Sequence, residues 1–374
     1  MLVDATAVPA DRRGVGRYVD GLVAALGALG ADLAVVCQLA DVGHFGRLAA
    51  DARIVAGPAA IARRPVRLAW EQTGMVRVAE RVGADVIHAV HYTMPWRAAL
   101  PVVVSVHDVT FFTEPDMHTA MKGPFFRWAT RAALRQAARI IVPSRATRSE
   151  LVRVLDADAT RVDVAHHGVD TEVFTMPSRA DRERVSSALG LENRRYVAFL
   201  GTLEPRKNVP GLIRGWVRCA SGRSHAPALV LAGGSGWDAD VDAALATVPD
   251  DLVVLRPGYL SLADLPAYLG GAQVFAYPSF GEGFGLPVLE AMACGAPVLT
   301  TRRLSLPEVG GDAVAYTEPN DEAIARELTA LLDDPDRCLA LGQAGHRRAR
   351  QFTWEASAEA HLACYERAAD PSGR

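Results

Sequence analysis

Short apolar runs alternate with longer amphipathic stretches along the chain. In the first half, each apolar run is followed by residues whose apolar members recur at helical spacing, which is typical of a strand followed by a helix. The predicted elements of this half include strands 1–5, 32–38, 84–89, 101–106, 140–142 and 161–165 and helices 17–29, 66–81 and 149–155. This alternation predicts a doubly wound parallel sheet with helices on both faces.

A second series of the same kind begins at Tyr196, after a junction near residues 166–174. Its predicted elements are strands 197–200, 228–232, 252–256 and 274–277 and a helix at 321–332. A chain of 374 residues is long enough for two domains of ordinary size. We therefore predict an α/β protein with Rossmann-like domains at residues 1–170 and 171–350, followed by a helical segment at 351–374.

The most informative stretch reads VFAYPSFGEGFGLPVLEAMACGAPVLT and begins at Val274. An apolar strand leads into a loop with Gly283 and Gly285, and a proline then fits the first turn of a helix. The N–H groups at a helix start have no intrahelical acceptors and favour a bound anion such as phosphate. Glu282 and Glu290 add carboxylates that accept hydrogen bonds from hydroxyl groups. The pattern indicates a ligand with phosphates in its middle and hydroxyls at both ends, such as a nucleotide sugar.

Two other places in the first half put polar or glycine residues after a strand. Gly14 and Gly16 follow the first strand and could bring backbone N–H groups close to a phosphate or a sugar, although a plain turn stays an alternative. His107 and Asp108 follow the strand at 101–106, and Tyr92 follows the strand at 84–89. Ligands of doubly wound sheets lie beyond the carboxyl ends of the strands, so these residues are candidates for a binding site.

In the second half, Arg206 and Lys207 stand in the turn GTLEPRKN, between a strand and a helix that begins near Val209. Two adjacent cations at the carboxyl end of a strand can neutralise a diphosphate that gains charge as it leaves. Neighbouring Arg and Lys are also common on ordinary surfaces, so the pair alone leaves both interpretations open.

Composition removes several classes of function. Formal net charge is -3, with 40 basic and 43 acidic residues, which gives no overall field for nucleic acid. The 5 cysteines lack CxxC pairing or histidine partners, which argues against disulfides and a zinc site. The N-terminal stretch lacks the features of a signal peptide, and no apolar run approaches the roughly 18 residues of a membrane span. We therefore expect a cytoplasmic protein.

The string EGFGLPVLEAMACGAPV, in which seven residues separate Glu282 from Glu290, resembles the signature of retaining, nucleotide-sugar-dependent glycosyltransferases of the GT-B fold. That family includes bacterial mannosyltransferases and glucosyltransferases. The resemblance implies two Rossmann-like domains that face each other across a cleft, with the acceptor on the N-terminal side and the donor on the C-terminal side. It also implies that the last helix crosses back to the N-terminal domain.

The resemblance implies roles for individual residues. His107 lies in an element similar to the family's HD or HG segment and would approach the transferred sugar, while EPRKN resembles the family's diphosphate-binding element. Glu282 would bind hydroxyls of the donor sugar, and Glu290 those of the ribose. The implied catalytic residues are His107, Glu282, Arg206 and Lys207. The implied donor-binding residues are Gly14, Gly16, Arg206, Lys207, Glu282, Gly283, Phe284, Gly285, Leu286 and Glu290, and the implied acceptor contacts are Tyr92 and Asp108.

The expected activity is retaining transfer of a hexose from a nucleotide sugar to a saccharide or lipid-linked acceptor. No DxD-like carboxylate pair stands at a strand end, so no metal and no other cofactor are expected. The segments DATAVPADRRGVGRY and HDVTFF look like those of bacterial polysaccharide mannosyltransferases, which favours GDP-mannose as donor. UDP-glucose and dTDP-rhamnose stay open, as do two other classes of protein, a nucleotide-sugar epimerase and a sugar-binding protein without chemistry.

A series of arginines suggests one further partner. Arg127, Arg131, Arg135 and Arg139 recur every four residues and are predicted to share one helix face, with Trp128 near its start. Such a face could dock on anionic lipid at the inner side of the plasma membrane or on a phosphorylated acceptor. The alternative is the solvated face of a packed helix.

Overall fold

The computed structural model describes residues 1–9, 12, 14–118, 122–191 and 194–370. The chain divides into two compact units. Unit 1 comprises Met1–Gly168 together with Phe352–Arg374, and unit 2 comprises Val169–Gln351. Each unit is built on its own parallel sheet, as expected for an α/β protein of this pattern.

Unit 1 contains a sheet of seven parallel strands in the order β3-β2-β1-β4-β5-β6-β7. Its strands are β1 (Leu2–Asp4), β2 (Ala34–Cys37), β3 (Arg53–Ala56), β4 (Ile87–Ala89), β5 (Val102–Ser105), β6 (Arg139–Val142) and β7 (Val162–Val164). Its helices are α1 (Gly14–Ala28), α2 (Val42–Leu48), α3 (Arg64–Glu71), α4 (Gly74–Val82), α5 (Thr110–Thr113), α6 (Lys122–Gln136), α7 (Arg145–Leu155) and α16 (Trp354–Ala369).

Unit 2 contains a sheet of six parallel strands in the order β10-β9-β8-β11-β12-β13. Its strands are β8 (Tyr196–Leu200), β9 (Ala228–Ala232), β10 (Val254–Gly258), β11 (Val274–Tyr277), β12 (Val298–Thr301) and β13 (Ala315–Thr317). Its helices are α8 (Arg179–Ala188), α9 (Val209–Ala220), α10 (Asp240–Leu245), α11 (Leu265–Gly270), α12 (Leu286–Ala293), α13 (Leu306–Gly310), α14 (Asp321–Leu332) and α15 (Pro335–Ala349).

The strands form because their apolar residues can be buried on both faces of each sheet. Successive residues of a strand point to opposite faces, so Leu2 and Val104 join one core of unit 1, while Val3 and Val103 join the other. Parallel strands covered in this way read as continuous apolar runs. That is why the strands predicted at 228–232 and 274–277 begin and end at the same residues as β9 and β11.

The strand order of each sheet reverses direction between two neighbouring strands. In unit 2 this point lies between β8 and β11, which pair in parallel through Val274 and Val197. In unit 1 it lies between β1 and β4. Ligands of open α/β sheets bind beyond the carboxyl ends of the strands at such a point. The topology therefore directs attention to the turns that follow β8 and β11.

One predicted helix differs from the structure. The helix predicted at 66–81 is two helices, because the chain turns at Gln72, whose side-chain amide donates to the carbonyl of Met94, 3.0 Å away. The chain after Asp334 forms the two helices α15 and α16, and Thr353 caps the second one. Among the described residues, no helix is long and apolar enough to cross a membrane.

Candidate active site

Two turns meet at the carboxyl ends of β8 and β11. The first is a short 3-10 turn at Pro205–Lys207, and the second runs from Pro278 to the start of α12. The amide N–H of Phe280 donates to the carbonyl of Arg206 at 2.9 Å, and the side-chain amide of Asn208 donates to the carbonyl of Pro278 at 3.1 Å. These bonds hold the predicted diphosphate-binding turn directly against the glycine loop.

The carboxylate of Glu282 is the centre of this arrangement. Its Oε1 accepts a hydrogen bond from Lys207 Nζ at 2.6 Å and lies 2.6 Å from Ser279 Oγ. Its Oε2 accepts a hydrogen bond from Arg206 Nη1. Arg206 also donates through Nη2 to Glu204 at 2.7 Å. The structure therefore brings three predicted catalytic residues, Arg206, Lys207 and Glu282, into one ion-pair cluster.

Burial strengthens the electrostatic attraction between Glu282 and the two cations of this cluster. Glu282 is 6% exposed and Lys207 is 8% exposed. Burial by itself would raise the pKa of Glu282, but the adjacent Arg206 and Lys207 lower it to about 2. Burial and the charge of Arg206 lower the pKa of Lys207, while Glu282 opposes that change. The carboxylate is thus ionised throughout the neutral range and keeps both cations in fixed positions.

The glycine loop is anchored from beneath. Ser305 Oγ lies 2.7 Å from the carbonyl oxygen of Glu282 and 2.8 Å from that of Phe284. Gly285 has φ of 103°, a conformation that favours glycine, and it directly precedes α12. Glu290 lies one turn into this helix and is 2% exposed. Gly283, Phe284, Gly285 and Leu286 therefore lie in one strand-loop-helix unit with both predicted glutamates, as the sequence indicated.

A second glycine turn supports the cation-bearing segment. Gly233 has φ of 126°, and a Cβ atom built on it would lie 2.1 Å from the carbonyl oxygen of Gly201. The N–H of Leu203 donates to the carbonyl of Gly234 at 2.9 Å. Only glycine permits this approach, which fixes the path of the chain just before Arg206.

In unit 1, His107 lies two residues beyond the end of β5. Its Nε2 is 2.8 Å from the carbonyl oxygen of Val90, which can only accept, so this nitrogen carries the proton. Burial lowers the pKa of His107, although the bond to Val90 opposes that change. The neutral ring therefore keeps Nδ1 as a hydrogen-bond acceptor, which is the atom able to hold a hydroxyl proton of a ligand.

Tyr92 and Asp108 lie beside this histidine but have structural contacts of their own. Tyr92 is 3% exposed, and its hydroxyl accepts a hydrogen bond from the backbone N–H of Asp108 at 3.0 Å. Asp108 Oδ1 accepts from the N–H and the hydroxyl of Thr110 at 3.0 and 2.7 Å. Both residues thus fix the segment that carries His107.

The ring of Tyr18, from α1, packs edge-to-face on His107, with centroids 5.1 Å apart. The hydroxyl of Tyr18 lies 2.8 Å from both Ser105 Oγ and His361 Nε2. His361 Nδ1 is 2.7 Å from the carbonyl oxygen of Ser357, so Nδ1 donates and Nε2 accepts the proton of Tyr18. Burial lowers the pKa of His361 to about 4, which keeps it neutral. A hydrogen-bond chain through α16 thereby locks the ring that packs against His107.

The chain continues from Ser105 to His88 Nε2 at 2.8 Å, and from His88 Nδ1 to the hydroxyl of Tyr365 at 2.8 Å. Both ring nitrogens of His88 are therefore used inside unit 1. This agrees with the structural role that a single buried histidine most often has.

Replacing Tyr18 with phenylalanine is expected to destabilise unit 1 by about 1–3 kcal/mol, because Ser105 and His361 both lose a buried partner. Hydrogen exchange of peptides from α1 and α16 measures this loss. Tyr365→Phe is the matched control, because among the described residues the Tyr365 hydroxyl bonds to His88 alone. An equal loss of hydrogen-exchange protection in the two variants would contradict the central position of Tyr18 in this series of hydrogen bonds.

Two sequence predictions need correction. Gly14 and Gly16 do not form a loop before the helix, because α1 begins at Gly14 and both lie in its first turn. Gly16 is buried, and a Cβ atom there would lie 3.2 Å from the Arg12 side chain, so this glycine allows close packing. Residues 10, 11 and 13 of the predicted loop lie outside the described residues.

The second correction concerns the arginine series. Arg127, Arg131 and Arg135 lie on α6, but this helix ends at Gln136, and Arg139 begins strand β6. Arg139 is bound by Asp163 through Nε at 2.5 Å and Nη2 at 3.1 Å. The apolar run after Arg139 forms a strand, which overrides the four-residue repeat. The predicted helix face therefore carries Arg127, Arg131 and Arg135, but not Arg139.

Four residues that contact the predicted site residues or support them were not predicted from the sequence: Glu204, Ser279, Tyr18 and His361. Glu204 stands beside the two cations in EPRKN, and Ser279 stands three residues before Glu282, so a search for polar neighbours of the predicted site residues could have found both. Tyr18 and His361 are 343 residues apart in the chain, and no local pattern connects them.

Comparison with known proteins now identifies the family. Residues 181–348 match the family described as glycosyl transferases group 1, and residues 12–173 match glycosyltransferase family 4. O-antigen chain mannosyltransferase B of Escherichia coli is 34% identical over 273 residues, covering 72% of this chain and 71% of that protein. The chain belongs to the group 1 glycosyltransferases. A second relative of this glycosyltransferase, D-inositol 3-phosphate glycosyltransferase of Mycolicibacterium smegmatis, is 30% identical and covers 76% of this chain and 67% of that protein.

Solved structures agree on the fold of this glycosyltransferase. HepE of Anabaena, in complex with UDP and glucose, has a TM-score of 0.77 at 18% identity, covering 98% of this chain and 99% of that one. WaaG, a glycosyltransferase involved in lipopolysaccharide biosynthesis, has a TM-score of 0.76 at 15% identity, covering 97% and 98%. With the two parallel sheets, these likenesses confirm the predicted GT-B fold class.

Proposed function

We propose that this glycosyltransferase transfers a hexose from a nucleotide sugar to a saccharide or lipid-linked acceptor, with retention of configuration at the anomeric carbon. The observation that carries the proposal is the buried cluster of Arg206, Lys207 and Glu282 beside the glycine loop of unit 2. Fixed cations at the carboxyl ends of β8 and β11 suit the diphosphate of such a donor. The domains predicted at 1–170 and 171–350 would supply the acceptor and donor sides.

In the proposed step, the bond between the anomeric carbon and the diphosphate oxygen breaks, and the acceptor oxygen bonds to that carbon on the same face. The acceptor proton passes to the leaving phosphate oxygen, so the products are the glycoside and a nucleoside diphosphate. Arg206 and Lys207 stabilise the charge that develops on the leaving group. His107 Nδ1 accepts a hydroxyl proton of the sugar. Glu282 orients the two cations and binds sugar hydroxyls, and Glu290 binds the ribose.

GDP-mannose is the donor we favour. Its support is the similarity to a relative named as an O-antigen chain mannosyltransferase. The HepE structure contains UDP and glucose, which keeps UDP-glucose as the second candidate and makes dTDP-rhamnose the third. A polysaccharide or its lipid-linked precursor is the acceptor class that fits a mannosyltransferase of this type.

A panel of the three nucleotide sugars tests the proposal. The matched donor should raise the melting temperature, because it binds only the folded state, and should release nucleoside diphosphate when a mannoside acceptor is added. Proton NMR of the product then reports whether the anomeric configuration is retained. Release of nucleoside diphosphate without a glycoside product, or an inverted product, would refute the assignment.

We also expect turnover without a divalent metal, because Arg206 and Lys207 supply the positive charge that a metal would otherwise provide. Treatment with EDTA followed by desalting should leave the rate of donor turnover unchanged, and added magnesium or manganese should not raise it. Recovery of activity only with added metal would contradict this prediction. Cytoplasmic location and contact with the inner membrane surface stay predictions.

A further inference from the structure

A groove of about 550 Å³ lies on unit 1 along α6, and His107 is not among the residues that line it. It is lined by Trp96 and Trp128 and by Arg127, Arg131 and Arg135. The groove-facing part of α6 runs from residue 124 to 136, which corresponds to roughly 18 Å of helix. This length suits an extended ligand rather than a single ion.

The two tryptophans form one wall of the groove. Their rings pack edge-to-face with centroids 5.0 Å apart. Trp96 is 46% exposed and Trp128 is 48% exposed, so each ring leaves about half of its surface available to a ligand. Large aromatic surfaces that remain exposed on a folded domain indicate a binding site. Indole rings pack well on flat, partly apolar partners such as the C–H faces of sugar rings.

The arginines give the groove its charge. Arg131 lies over the ring of Phe112, with Cζ 4.9 Å from the centroid, which orients its guanidinium group. Within the part of the chain that the structure describes, Arg127, Arg131 and Arg135 have no acidic partner, and the groove lining contains no acidic residue. Guanidinium groups bind carboxylate and phosphate groups in a bidentate geometry, through two parallel hydrogen bonds. The groove therefore complements a ligand that is both saccharide and anionic.

We propose that this groove binds the anionic saccharide chain of the acceptor, a run of sugar rings that carry carboxylate or phosphate groups. The inference rests on the proposed function and adds a second acceptor subsite, whose lining does not include His107, Asp108 or Tyr92. A membrane surface is the other class of partner. It fits less well, because the described lining has two large exposed hydrophobic residues, Trp96 and Trp128, whose rings contact each other, and this is a small apolar area for insertion into a bilayer.

The test measures direct binding of a fluorescently labelled oligogalacturonate to the full chain by anisotropy. A neutral mannan oligosaccharide of the same length is the comparison ligand. We expect the acidic ligand to bind at least about tenfold more tightly. The variants Trp96→Ala/Trp128→Ala and Arg127→Gln/Arg131→Gln/Arg135→Gln should each weaken binding about tenfold or more, and the arginine variant should also lose most of the salt dependence.

Arg81→Gln is the matched control, because Arg81 is an exposed arginine of unit 1 on α4, outside the groove. It should bind as the wild type does. Equal binding of the neutral ligand, or unchanged binding by both groove variants, would overturn the inference. So would groove-dependent binding to vesicles of phosphatidylglycerol and phosphatidylcholine without binding to the oligogalacturonate.

Donor binding distinguishes a failure of this groove proposal from a failure of the proposed function. Binding of the nucleotide sugar, followed by melting temperature, should be the same in the wild type and the groove variants. Intact donor binding and transfer, with no binding of the acidic oligosaccharide, would remove the acceptor subsite alone.

Discussion

Removing the charges of Arg206 and Lys207 together is expected to lower kcat by about 10³-fold or more. In the proposed reaction each cation lies near the leaving diphosphate, and loss of one preorganised donor of this kind costs about 10²–10³ in rate. The loss should appear mainly in kcat, because the charge on the diphosphate grows as the sugar departs. Initial rates of nucleoside diphosphate release for Arg206→Ala, Lys207→Ala and the double variant measure it.

Arg218→Ala is the matched control for this prediction. Arg218 is a cation of α9, the helix that follows the turn, and it forms an ion pair with Asp321 at 3.2 Å while remaining 55% exposed. Exposed ion pairs contribute little to stability, so its removal should leave the rate near that of the wild type. Near-normal rates in the double Arg206 and Lys207 variant, with its fold intact by circular dichroism, would refute the proposed role of the cluster.

The sequence predicted those parts of the fold that depend on local pattern. Strand β11 and helix α14 occupy the residues expected for them, because uninterrupted or periodic apolar residues there end at clear breaks such as Pro278. Arg139 shows the limit of periodicity, since a four-residue repeat continues past the end of α6 into a strand. Where two patterns overlap, burial of the apolar run decides the structure.

The candidate site was predicted as a set of residues but not as an arrangement. Arg206, Lys207 and Glu282 were each assigned to the donor, yet the sequence did not indicate that they bind one another across 75 and 76 residues of chain. Pairing of side chains depends on which strands are neighbours, and adjacent β8 and β11 bring them together. The contact between Tyr18 and His107 likewise depends on tertiary packing.

The ion-pair cluster also has a consequence for stability. Glu282→Gln is expected to destabilise unit 2 by about 3–5 kcal/mol, because it leaves the cation of buried Lys207 without its principal carboxylate. The double variant Lys207→Met/Glu282→Gln should be destabilised by less than the sum of the single changes, because it removes the uncompensated charge. Hydrogen exchange of peptides from β8 and β11 reports this effect within unit 2. Asp333→Asn is the control, since Asp333 pairs with Arg223 at the surface and should contribute about 1 kcal/mol or less.

The difference in stability between wild type and Glu282→Gln should depend on pH in one direction. The pKa of Glu282 is about 2 in the folded chain and 4.5 as the ordinary value, so the folded state binds its proton less readily than the unfolded state. The stabilisation by the ionised carboxylate is therefore complete above pH 4.5 and is lost as the pH falls from there towards about 2. Buried histidines such as His361, whose pKa burial lowers to about 4, also destabilise the fold in acid, but they do so equally in both proteins. A difference that stays constant from neutral pH down to about pH 3 would show that Glu282 is not held as an ionised partner of Arg206 and Lys207.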